Sequence, residues 1–226
     1  WHADPAGFRA RLDRFLAAAA RVGIRAMPVL FDDCWHPGAT IGPQPAPVPG
    51  VHNSRWLQSP GVRAARDPSC RARLRDYVQD VVGAHRADER VLAWDVYNEV
   101  GNRFLPAMSR PPIEKAVRLA AGAMGLALGH IPTLPLLRDG FAWARAAGPS
   151  QPLTSAVWID HPRLEWELVG LSDVVSFHDY RPVPGLEQRT RNLRAHGRPL
   201  LCTEFMARTS GSTFATHLPV FRREGV

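Results

Sequence analysis

The chain has 226 residues, 45% hydrophobic and 22% charged, which excludes a disordered polar chain and allows a core that needs neither disulfide nor metal to hold it. Net charge is +7, but the arginines, joined by the single lysine Lys115, are spread along helix-like stretches with no dense basic block, so the charge reads as solvated surface and a nucleic-acid partner is not expected. No run approaches the ~20 apolar residues of a membrane span, and three cysteines without C-x-x-C spacing, Cys34, Cys70 and Cys202, exclude a disulfide framework and a zinc cluster and read as free thiols.

Amphipathic stretches alternate with short apolar ones, the pattern of a parallel α/β fold. The first helix is predicted over residues 4–22, where Phe8, Leu12, Phe15, Leu16 and Ala19 recur at three- and four-residue steps, Pro5 suits a first-turn position and Gly23 stops the run. A buried strand follows over 24–31, despite Pro28. Residues 32–68, with the string GPQPAPVPG, are too rich in Pro and Gly for regular structure; a loop this long after a strand end reads as functional.

A helix is predicted over 69–87, a strand over 91–97, and a broad helical region over 113–147 broken near Pro132 and Pro135. Strand 153–158, a short helix 164–170, strand 174–178, helix 186–196, strand 199–203 and a last helix 212–224 complete the series. Five strands, each followed by helix, fit either an open doubly wound sheet or part of a barrel. The glycine-rich first turn of a dinucleotide fold is missing. Polar residues instead collect at strand ends, where (β/α)₈ enzymes place their chemistry, so the expected fold is a truncated (β/α)₈ barrel in one domain over 1–226.

Three strand ends carry candidate chemistry. The run Val91-Leu92-Ala93-Trp94-Asp95-Val96-Tyr97 leads into Asn98 and Glu99: a carboxyl there can protonate a departing oxygen while the neighbouring amide holds a sugar hydroxyl. A strict two-residue period puts Asn98 and Glu99 on opposite faces, so both serve one substrate only if the strand ends or bulges there. A second apolar strand ends in Thr203-Glu204-Phe205, and retaining glycoside hydrolysis needs two carboxyl groups ~5 to 5.5 Å apart. The stretch separating Glu99 from Glu204 accommodates three β/α units. Within it, Ser176, His178 and Tyr180 alternate onto one strand face, giving an imidazole and a phenol able to bond a sugar or steer a carboxylate.

In that order, Trp94 to Glu99, the His178-x-Tyr180 pair and Thr203-Glu204-Phe205 resemble strands four, six and seven of clan A glycoside hydrolases, particularly cellulase-like family 5 members, over essentially the whole chain. The resemblance implies Glu99 as acid/base, Glu204 as nucleophile, Asn98 on the sugar 2-hydroxyl and Tyr180 hydrogen-bonded to Glu204. It implies a double displacement in which Glu99, kept protonated by a raised pKa, acts first as acid and then as base, with no metal or organic cofactor. It also implies that two opening strands and a closing strand lie outside this chain, which alone is expected to be inactive.

Trp35 after the third barrel strand and Trp158 after the fifth are candidate sugar platforms, and Trp56 in the long loop a weaker one. Asp32 and Asp33 with His36 lack the further ligands that would complete a metal shell; Asp33 is expected to bond sugar hydroxyls or loop backbone. The expected partner is a β-linked oligo- or polysaccharide bound by a monomer, away from membrane and nucleic acid. Secreted and cytoplasmic locations both stay open, and the alternatives are a non-catalytic carbohydrate-binding barrel and a metal-dependent barrel hydrolase.

Overall fold

The structure, a computed structural model, describes residues 1–36, 38–51, 53–102, 113, 116–117, 120, 124–125 and 127–226. The chain divides into two compact units, Trp1–Gln151 and Pro152–Val226. Part of the predicted helical region 113–147 lies outside the described residues. Among the described residues no helix is long and apolar enough to cross a membrane.

The first unit opens with helix α1, Pro5–Ala20. Pro5 occupies its first turn and the Asp4 carboxylate caps it, accepting from the Gly7 N–H, a bond that pulls the Asp4 carboxyl below its ordinary range. Strand β1, Val29–Asp32, runs parallel to β2, Trp94–Asn98, with Val29 opposite Asp95, Phe31 opposite Tyr97 and Asp32 opposite Asn98. All five residues of β2 are buried, as a parallel strand covered on both faces should be.

Helix α2, Val62–Arg66, interrupts the long loop; α3, Arg71–Ala84, follows a 3₁₀ turn at Pro68–Cys70; and α4, Leu134–Ala146, closes the unit. From α1 and α3 an aromatic chain leads to the strand ends. Phe8 meets Tyr77 edge-on, Tyr77 touches Phe31, Phe31 touches Tyr97 at 5.6 Å between ring centres, and the Tyr77 hydroxyl donates to the Leu30 carbonyl. Phe31, Tyr97 and Phe141 are fully buried, each contributing roughly 1.5–3 kcal/mol of hydrophobic stabilisation.

In the second unit β3, Leu153–Thr154, precedes helix α5, Pro162–Leu171; β4, Val175–His178, precedes α6, Val183–Arg194; and β5, Leu200–Glu204, precedes α7, Phe214–Glu224. β4 pairs with β5 in parallel, and past the end of β3 a parallel bridge joins Val157 to Phe177. A capping box between Thr213 and Thr216 starts α7, whose His217 and Phe221 pack on Phe205, one residue beyond β5.

The expected truncated barrel is overturned. The five strands of the described residues are two to five residues long, lie in two small parallel sheets and do not close into a barrel. Alternating helix and strand periodicity reports parallel pairing and nothing about closure, which needs a full set of strands with matched tilt and stagger. The strands are also shorter than hydrophobicity suggests. β1, β3 and β5 each begin on the residue after a proline (Pro28, Pro152 and Pro199), whose ring removes the N–H that would carry the ladder further back. Of the predicted strand 24–31 only an isolated bridge, Ala26 to Val91, survives before Pro28.

Candidate functional site

In the first unit β2 stops at Asn98, and Glu99 takes a left-handed conformation, φ +46°. This break answers the parity problem. Both side chains reach the same thiol: Asn98 Nδ2 lies 3.9 Å from Cys34 Sγ, and Cys34 Sγ donates to Glu99 Oε2 across 2.9 Å. Asn102, one turn on, donates from its side-chain amide to Glu99 Oε2 and to Cys34 Sγ at 3.5 Å, while its backbone N–H closes the turn on the Glu99 carbonyl at 2.8 Å. Glu99 is 8% exposed.

The end of β1 supports this turn. Asp33 is fully buried, and its carboxylate accepts from the Tyr97 hydroxyl at 2.9 Å, the Gly101 N–H at 2.7 Å and the Thr133 hydroxyl at 2.6 Å. Thr133 stands at the N-cap of α4 without capping it; its hydroxyl turns to Asp33 instead. Burial, and next the Asp33 charge beside it, push the Tyr97 phenol well above its usual range, so it stays a donor. Asp33 thus ties β2, the Glu99 turn and α4 to the end of β1.

Asp32 accepts from the Cys34 N–H at 2.6 Å and from the Trp56 indole N–H at 2.7 Å. Burial raises its carboxyl to about 6; the bonds from Trp56, Cys34 and Asn98 pull the other way, and the Glu99 charge adds to the rise. The Cys34–Trp35 peptide bond is cis. Backbone N–H groups of Trp35 and His36 both point at the Trp56 carbonyl, so the two tryptophans flank one strap over the strand end. Trp56, 44% exposed, lines an open cavity of about 580 Å³ with Pro47, Val51, Asn53, Ser54, Arg55 and Leu57.

In the second unit Glu204 ends β5. The register slips between Phe177 and His178, so that Phe177 faces Cys202 but His178 faces Glu204, and this irregularity brings His178 level with the carboxylate. His178 Nε2 lies 3.5 Å from Glu204 Oε1, and the Tyr180 hydroxyl donates to Glu204 Oε2. The Asp179 N–H fixes the Glu204 carbonyl at 2.9 Å. Asp179 itself, 2% exposed, is saturated by the Arg181 backbone N–H and guanidinium. Burial, with the Asp179 charge second, pushes the Cys202 thiol of β5 up to about 12, so it stays protonated. Trp158 follows directly on Val157, whose carbonyl accepts from the His178 N–H at 3.2 Å.

Asn98, Glu99, Asp33 and Trp35 surround Cys34 in the first unit; His178, Tyr180 and Glu204 form one cluster in the second, with Trp158 beside the His178 strand. Cys34, Asn102 and the Asp32–Trp56 bond were not singled out by the sequence reading. Cys34 lies two positions past the end of β1, the strand-end placement that also marks Trp35, but a cysteine without motif spacing reads only as a free thiol. The chain matches no protein-family model and no curated protein.

Proposed function

We propose that the protein is a retaining glycoside hydrolase acting on β-linked oligo- or polysaccharides. Glu204 is the nucleophile, attacking the anomeric carbon to form a glycosyl-enzyme ester. Glu99, protonated, delivers its proton to the leaving oxygen and then, as carboxylate, takes a proton from the water that breaks the ester. Asn98 bonds the sugar 2-hydroxyl, Tyr180 and His178 aim Glu204, and Trp35 and Trp158 offer ring faces to sugar. Neither displacement calls for a metal or an organic cofactor.

The observation that carries this reading is the Glu204 carboxylate gripped at a strand end by a phenol on one oxygen and an imidazole beside the other. A phenol donor stabilises the carboxylate through the ground state and can yield it to the anomeric carbon as the bond forms. Structural ion pairs seldom take that form, since a surface glutamate is more simply satisfied by Arg or water.

The test is chemical rescue. Glu204→Ala should abolish turnover of nitrophenyl β-glycosides or of a responsive polysaccharide, and added azide should restore it with a glycosyl azide of inverted configuration. Near-normal turnover in Glu204→Ala removes Glu204 from the role. Loss of activity on chelation points instead to a metal-dependent hydrolase, and sugar binding without turnover to a carbohydrate-binding protein.

A further inference from the structure

We propose that Cys34 is the positioning residue for Glu99, its thiol serving as a dedicated hydrogen-bond donor that fixes the orientation of the Glu99 carboxyl. The proposal rests on the assignment of Glu99 as acid/base only for its kinetic consequence; the hydrogen bond itself stands on geometry. Three features argue that this thiol is more than core filling. Its own backbone is pinned, the Cys34 N–H donating to Asp32 Oδ1 at 2.6 Å, so the side chain leaves the strand end in one direction. Its sulfur is an acceptor, approached by the Asn98 amide at 3.9 Å and the Asn102 amide at 3.5 Å. Donors on the lone-pair side leave the S–H directed outward, where Glu99 Oε2 waits at 2.9 Å, short for a bond through sulfur.

The conformation of Glu99 supplies the need. A glutamate at φ +46° occupies a backbone region few side chains adopt, and the turn persists because neighbouring groups determine it. Asp33 fixes the turn's backbone through Gly101, and the Asn102 amide holds Glu99 Oε2 from within the same turn. A donor from a different element is needed to stop turn and carboxyl rotating together, and the Cys34 thiol, from beyond β1, is that donor. An apolar side chain of the same volume would fill the space and lose the constraint. Cys34 is 2% exposed, so the bond is shielded from competing water.

The test reads the bond directly. The infrared S–H stretch of Cys34, identified by its loss in Cys34→Ala, should lie at lower wavenumber than that of an unbonded thiol. It should move up in Glu99→Leu, which removes the acceptor oxygen. In the active protein Cys34→Ala should lower kcat about tenfold, the rate equivalent of one hydrogen bond, with KM nearly unchanged, and Cys34→Ser, which keeps a donor, should recover most of it. An S–H band unmoved by Glu99→Leu overturns the proposal, as does Cys34→Ala with wild-type kcat. The infrared result decides the hydrogen bond whether or not a glycoside is turned over, so its failure and the failure of the functional assignment are read separately.

Discussion

Two aspartates adjacent in sequence do different work: Asp33 clamps three protein donors, while burial above all, with the Glu99 charge adding a little, raises the Asp32 carboxyl. Asp33 takes bonds from Tyr97, Thr133 and Gly101, two of them from side chains that are themselves fully buried. Asp33→Ala strands those donors, and the expected loss is about 3 kcal/mol, read by urea unfolding at neutral pH. Asp32 is the titrating partner. With its carboxyl raised to about 6 from an ordinary 3.8, the folded chain holds a proton between those values that the unfolded chain has released. This group therefore lowers stability as pH climbs through that window, by at most about 3 kcal/mol, and has no further effect above it. The Trp56 indole N–H reports the event: its amide-type nuclear resonance should titrate with a midpoint near 6 and not near 4. A midpoint in the ordinary carboxylate range would show Asp32 to be hydrated.

At the level of elements, the sequence was legible where periodicity and caps agree. Asp4 and Pro5 start α1 as read, Thr213 opens α7, and the strand cores at β2, β4 and β5 fall within a residue or so of the hydrophobic runs that predicted them, apart from the start of β2. The strand-end residues Asn98, Glu99, His178, Tyr180 and Glu204 were legible for the same reason. What stayed hidden depends on partners remote in sequence: the α2 turn inside the Pro-rich loop, the trimming of strands by Pro28, Pro152 and Pro199, and the Asp33 clamp, whose partners lie 64 to 100 positions away. The Glu99 turn offers a test at this scale. Gly101 sits at φ +78°, and a Cβ there would come within 2.9 Å of Ile131 Cγ2, so Gly101→Ala must both strain the backbone and push Ile131, three residues ahead of α4. Gly148, after α4 at φ +68°, faces open space. Gly101→Ala should cost about 2–3 kcal/mol of stability and depress kcat, whereas Gly148→Ala should cost about 1 kcal/mol and leave kcat unchanged. Equal losses in both would mean that only backbone strain matters.

For the molecule as a whole, closure was the property that strand and helix counting could not supply, since open and closed parallel sheets share one alternation pattern. The functional proposal does not depend on closure; it depends on Glu99 and Glu204 serving one reaction although they belong to separate compact units. Kinetics can decide that. If nucleophile and acid/base act on the same bond, each single change removes most of what the pair provides, and the remaining rate comes from binding contacts that neither residue makes. The double variant Glu99→Ala/Glu204→Ala should then be scarcely slower than the worse single variant, with kcat effects far from additive. Substrates with a good leaving group sharpen the comparison. They need little proton donation, so Glu99→Ala should be much milder on a dinitrophenyl glycoside than on an unactivated disaccharide, while Glu204→Ala is severe on both. Additive losses in the double variant, with no dependence on leaving group, would assign the two glutamates to unconnected tasks.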